Sequence, residues 1–137
     1  MIRATIDTNV AVSGLLFGGV PLKILEASFE HRFTWVTSPD LLAELDTVLR
    51  QRKFSLSAQE IKELTEPVLD VVEIVVPSKR LTVIKRCDGD NRVLECAVQG
   101  RCALIVSGDR RDLLSLKQFR GMDIVSPREF FDRLASI

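Results

Sequence analysis

The chain has little of what most side-chain catalysts rely on. Its 137 residues include one histidine, His31, no tyrosine, one tryptophan and three cysteines. A single histidine excludes nucleases that work with a histidine pair. Cys87, Cys96 and Cys102 are odd in number and lack paired spacing, which excludes a disulfide framework and a zinc knuckle. Cys96, in a helical pattern, and Cys102, just before a strand, read as small core residues. No nucleophile elbow, P-loop or dinucleotide glycine fingerprint occurs. No apolar run is long enough to cross a bilayer, and the start of the chain does not read as a signal peptide, so a cytoplasmic location is expected. Nineteen basic and nineteen acidic side chains cancel. Free-standing nucleic-acid binders are usually basic, so bulk charge gives no support to such a partner. Its distribution gives a little, because Lys79, Arg80, Lys85, Arg86, Arg92, Arg110 and Arg111 cluster around a group of acids.

What is present is the composition of one ordinary domain: 46% hydrophobic and 28% charged residues. Short apolar runs at 2–6, 33–36, 71–76, 103–107 and 123–125 read as buried strands. Helical patterns separate them. Pro21 to His31 carries Leu22, Leu25 and Phe29 on one stripe. Ser38-Pro39 starts a helix to about 52, with Leu41, Leu42, Leu45, Val48 and Leu49 as its apolar face. Ser57 to Glu60 and Ser126 to Glu129 are capping boxes that open helices. Asp90 to Gln99 is helical with Leu94, Ala97 and Val98 inward. Gly14, Gly18 and Gly19 suggest a bend between a first short helix and a second. Pro77 to Gly89 is the longest unassigned stretch, with Leu81 to Ile84 as a candidate extended piece. Strands alternating with helices imply right-handed crossovers and a mostly parallel sheet.

Ligands of such sheets bind at the carboxyl ends of the strands. Asp7 follows the first strand and Asp109 the fourth, after Ser107-Gly108. Asp90 opens a helix. Glu44 flanks the apolar stripe of its helix on one side and Asp46 on the other, and periodicity does not choose between them. Each acid alone is explained as readily by a helix cap, a turn or a surface charge. Gathered at one edge, they would repel one another, raise at least one pKa and call for a hard cation such as Mg²⁺ or Mn²⁺. Hydrolysis by cation-activated water is then the available chemistry.

These pieces together resemble the PIN-domain nucleases. The matching residues are Asp7-Thr8-Asn9-Val10, Glu44-Leu45 with Val48-Leu49, Asp90-Asn91 with Leu94 and Ala97, and Ser107-Gly108-Asp109. The stretch from Gly108-Asp109 to Leu116, followed by Ile124 to Phe130, is similar to the VapC-like toxin branch. The resemblance implies a single domain over 1–137, a three-layer α/β/α fold and a five-stranded parallel sheet of order 3-2-1-4-5. It implies that Asp7, Glu44, Asp90 and Asp109 bind Mg²⁺ or Mn²⁺, with Asp112 as a further carboxylate. Asn9 and Ser107 would orient those ligands, and Arg92, Arg110 or Arg111 would hold substrate phosphates. It implies a metal-dependent endoribonuclease, a cognate antitoxin, a homodimer and no membrane association. A non-catalytic PIN-like module that binds RNA or protein is the alternative. The branch often carries Asp-Pro where this chain has Cys87-Asp88-Gly89 before Asp90-Asn91, a departure that spares Asp90 and alters the loop before it.

Overall fold

Near-continuous burial along the short inner strands dictates a sheet covered on both faces, and the computed structural model has that architecture. It describes residues 1–85, 88–109 and 111–136. The element order is β1 (Arg3–Ile6), α1 (Thr8–Phe17), α2 (Gly19–Phe29), β2 (Thr34–Thr37), α3 (Pro39–Leu49), a 3₁₀ turn (Arg52–Phe54), α4 (Ala58–Val71), β3 (Glu73–Ile74), α5 (Asp88–Gln99), β4 (Leu104–Val106), α6 (Leu113–Leu116), β5 (Gln118–Phe119), β6 (Met122–Val125) and α7 (Pro127–Ala135). The sheet order is β3-β2-β1-β4-β6-β5, parallel except for the β5–β6 pair.

Successive strand residues point to opposite faces, which divides the core in two. Ala4, Ile6, Trp35, Leu104, Val106 and Val125 meet residues of α1, α2, α4 and α7 on one face. Val36, Ile105 and Ile124 meet α5 and Leu113 of α6 on the other. Helix α3 spans the boundary: Leu41 belongs to the second core, Leu45 and Leu49 to the first. Cys96 and Cys102 are buried, and both sulfurs lie within hydrogen-bonding reach of Thr5 Oγ1, at 3.6 and 3.3 Å.

The expected order 3-2-1-4-5 is present, its fifth strand being β6. A sixth, two-residue antiparallel strand extends the edge. Its turn needs positive φ at Arg120 (50°) and Gly121 (82°), the first of them non-glycine, so the local signals were weak. The third strand is shorter than the run 71–76, because α4 continues to Val71 through Val72 N–H to the Val68 carbonyl at 3.0 Å. Residues 81–84 form no strand. On α2, Ile24, Leu25, Ala27 and Ser28 are buried, while Leu22 and Phe29 are half-buried. His31 lies just past the C-cap of α2, exposed, with φ 60°.

The glycine bend is real. Helices α1 and α2 turn through 98° at Gly18 and Gly19, and among the described residues no single helix is long and apolar enough to cross a membrane. Gly14 makes the corner possible. A Cβ there would stand 2.7 Å from Leu25 Cδ1 and 3.0 Å from the Pro21 carbonyl. Backbone cannot yield as a flexible side chain can, so Gly14→Ala is expected to destabilise the fold by about 1–3 kcal/mol. Urea unfolding followed by the fluorescence of Trp35, the sole tryptophan and 3% exposed, measures it.

Candidate active site

Strand β1 ends at Ile6, and the Asp7 amide still bonds to the Val106 carbonyl of β4 at 2.9 Å. Adjacent strands therefore deliver Asp7 and the Ser107–Asp109 turn to the same edge. Asp7 is 5% exposed and is the N-cap residue of α1, yet its carboxylate closes no capping bond to that helix. Instead it accepts the Ser107 hydroxyl at 2.9 Å. The Ser107 oxygen in turn accepts the Asp109 amide at 3.0 Å. Ser107 is fully buried and ties the two acidic positions together. The Asp109 carboxylate is oriented by the amides of Arg111 (3.0 Å) and Asp112 (3.3 Å).

Asp90 arrives from the other layer, in the first turn of α5, and is 7% exposed. Carboxylate oxygens of Asp90, Asp109 and Asp112 all lie within 4.8 Å of one another. Burial, the hydrogen bond to Asp109, and the charges of Asp7, Asp109 and Asp112 raise the pKa of Asp90 to about 7. Burial also acts on Asp109, but the bond from Asp90 and the amides of Arg111, Asp112 and Leu113 outweigh it and hold Asp109 low. Near neutral pH Asp90 is therefore about half protonated, its proton facing Asp109. Asp7 is raised by burial and by the Asp109 charge, with the Ser107 hydroxyl opposing.

Glu44 completes the group from α3. It is half-buried and is raised by burial and by the charge of Asp7, with Thr8 opposing. Asp46, which periodicity could not distinguish from it, points away and pairs with Arg50 at 2.8 Å. The direction of α3 across the sheet edge makes the choice that the helical wheel left open.

An all-oxygen donor set this close suits a hard divalent cation. Asp90, Asp109 and Asp112 could hold one, and Asp7 and Glu44 stand behind them. A cation would also remove the repulsion that forces a proton onto Asp90. Beside the acids runs an open groove of about 370 Å³ lined by Asn9, Val10, Ser13, Pro21, Gly108, Asp109 and Pro127.

The basic residues separate. Arg111 is exposed beside Asp109. Arg110 lies outside the described residues. Arg92, expected on the phosphate rim, is tied instead to Glu95 at 2.8 Å and to the Leu81 carbonyl at 3.2 Å, so its charge is neutralised within the fold. Glu95 itself escaped the sequence reading. Its side chain is 1% exposed. The signal that could have found it is an acid set between inward Leu94 and Cys96, four residues after Asn91.

The chain is a three-layer α/β/α protein with acids gathered at the carboxyl edge of its sheet. Residues 3–111 match the family model of the PIN domain. The chain therefore belongs to the PIN domain family. It is 29% identical over 143 aligned positions to the uncharacterized protein MJ1680 of Methanocaldococcus jannaschii, covering 96% of this chain and 90% of that one. Among solved structures, it is similar to a chain of VapBC2 from Rickettsia felis bound to a DNA fragment from their promoter. That match has a TM-score of 0.66 and 15% identity over 91% of this chain and 98% of the other. It is also similar to PAE2754 from Pyrobaculum aerophilum, with a TM-score of 0.61 and 12% identity over 99% and 91% of the two chains. Both structural likenesses are likenesses of fold.

Proposed function

We propose that the chain is a Mg²⁺- or Mn²⁺-dependent endoribonuclease, a single domain over 1–137, and the toxin component of a type II toxin–antitoxin system. The observation that carries the reading is the acidic cluster itself: three carboxylates within a cation's reach, one of them with its pKa raised to about 7 by burial and by its neighbours. Family membership supports the nuclease class. The fold shared with a chain of VapBC2 supports the toxin reading.

Asp90, Asp109 and Asp112 would hold the cation, with Asp7 and Glu44 completing the negative field. A divalent cation bound there would lower the pKa of water and screen the scissile phosphate. Ser107 holds Asp7 in place, and the Arg111 and Asp112 amides aim Asp109. Asp90 or Asp109 accepts the proton of the attacking water. The new bond forms at phosphorus and the P–O3′ bond breaks, leaving a 5′-phosphate and a 3′-hydroxyl. No 2′-hydroxyl takes part. Arg111, with Arg110, contacts flanking phosphates, while Arg92 contributes through Glu95 to the frame of α5. Asn9 borders the groove that admits the strand.

A cognate antitoxin covers the acidic groove and blocks it in the cytoplasm. A homodimer forms through α3 and α4, where Leu42, Ala43, Leu45, Val68 and Leu69 line an apolar groove.

Incubation of the purified protein with mixed RNAs in Mn²⁺, Mg²⁺ and EDTA tests the reading. Cleavage is expected in either cation and none in EDTA, with products that carry 5′-phosphates. Tight Mn²⁺ binding with no cleavage of any RNA would favour the non-catalytic module instead. Products ending in 2′,3′-cyclic phosphate would overturn the mechanism.

A further inference from the structure

Residues 75–85 form neither helix nor strand, yet two buried side chains of α5 hold them at defined points. The Ile84 amide donates to Asn91 Oδ1 at 2.8 Å, and Asn91 Nδ2 donates to the Ile84 carbonyl at 2.7 Å. One side chain thereby satisfies both backbone groups of one residue. Asn91 is 1% exposed, and Ile84 is 7% exposed. One turn further, the Leu81 amide donates to Glu95 Oε2 at 2.7 Å. Arg80 and Arg92 add ion pairs to the same carboxylate at 3.3 and 2.8 Å. Residues 91 and 95 are four apart and so share a face of the helix. They act as two rivets along one seam.

We infer that Asn91 and Glu95 are positioning residues for Asp90: by riveting Ile84 and Leu81 to α5, they fix the helix turn that aims Asp90 at Asp109. The inference rests on the nuclease reading of that site. The covalent path explains why the rivets matter. Asn91 closes a ring running from Ile84 to its own side chain, and Asp90 lies inside that ring. Opening the ring lets the first turn of α5 rotate or fray, since helix ends are held only by what caps or tethers them. Asp90 would then leave the position where its oxygen lies within 4.8 Å of those of Asp109 and Asp112. A tether one bond removed from a ligand-bearing residue acts like the outer partners of known metal sites, whose loss typically weakens binding by about 10- to 100-fold.

Asn91→Ala and Glu95→Gln provide the test. Glu95→Gln keeps an acceptor for the Leu81 amide and loses the charge that holds Arg92 and Arg80, so it is the milder change. Ile61→Ala, in α4 on the opposite face of the sheet, is the control for lost stability alone. Mn²⁺ affinity is read from the spectrum of the free ion, without RNA. Amide exchange is read at Leu81 and Ile84. Asn91→Ala is expected to bind Mn²⁺ about 10- to 100-fold more weakly, with faster exchange at Ile84. Glu95→Gln is expected to show a smaller loss, with its effect centred on Leu81. In RNA cleavage at saturating Mn²⁺, kcat should fall while KM holds. Ile61→Ala should lower the Tm and leave Mn²⁺ affinity unchanged. Wild-type Mn²⁺ affinity in folded Asn91→Ala or Glu95→Gln, or an equal loss in Ile61→Ala, would overturn the positioning role and leave the nuclease reading intact. A wild-type protein that binds no Mn²⁺ would overturn both.

Discussion

Asp7→Asn folds like the parent and loses cation-dependent RNA cleavage by about 10- to 100-fold, the loss typical when a group behind the metal ligands is removed. The fold survives because the amide oxygen of asparagine can still accept the Ser107 hydroxyl that bonds Asp7 at 2.9 Å. Activity falls, because the substitution removes a negative charge that Glu44 and Asp90 both feel. The stability change should be small or favourable, since the lost charge is buried and repelled by its neighbours. Asp46→Asn is the matched control. It removes an acid from the same helix as Glu44, but one paired with Arg50 on the surface, and cleavage should stay at the parental rate. Initial rates on one RNA in Mn²⁺, with circular dichroism of each protein, decide the matter. Full cleavage by folded Asp7→Asn protein would remove Asp7 from the reaction.

Much of this site could be read without coordinates because two of its acids follow short apolar strands. Position after β1 and β4 is enough to bring Asp7 and Asp109 together once the strands are neighbours. Asp90 and Ser107 took their roles from the family resemblance alone, because a helix-start charge and a turn explain each of them without a site. Glu44 was not legible, because Glu44 and Asp46 flank the same stripe and only the packing of α3 against α1 selects one. The segment 77–85 was illegible for a different reason. Its shape comes from side-chain bonds to backbone by Asn91 and Glu95 rather than from a repeating pattern, and no period betrays such bonds. The β5–β6 hairpin escaped because its turn uses Arg120 in a conformation normally left to glycine or asparagine. Arg92 shows what charge alone leaves out: a basic residue near acids reads as a phosphate contact, and its pairing with Glu95 appears only in three dimensions.

Without divalent cations the protein should lose stability as the pH rises from about 4 to about 7, the reverse of ordinary acid denaturation. The sign follows from Asp90. Its pKa is about 7 in the folded state against 3.8 for the free side chain. A group whose folded pKa is raised gives stability that is complete below the unfolded value and is lost as the pH passes the folded one. Asp109, held low, acts in the opposite direction only as the pH falls below 3.8, outside that window. The net loss is on the order of 2 kcal/mol, after allowance for water at the mouth of the cleft. For a chain of this size that corresponds to a fall in Tm of about 5–10 °C. Mn²⁺ or Mg²⁺ should reverse it, because a ligand that binds only the folded state stabilises it in proportion to the logarithm of its concentration. The cation must displace the Asp90 proton, so its effect grows with pH and is weakest near 5. Asp90→Asn should flatten the metal-free profile, raise the Tm at pH 8 and abolish the gain from cation. Thermal melts at pH 5 and 8, each in EDTA and in Mn²⁺, separate these terms. A metal-free Tm that does not fall between those pH values would show that the carboxylates are too far apart, or too well solvated, to need a shared countercharge.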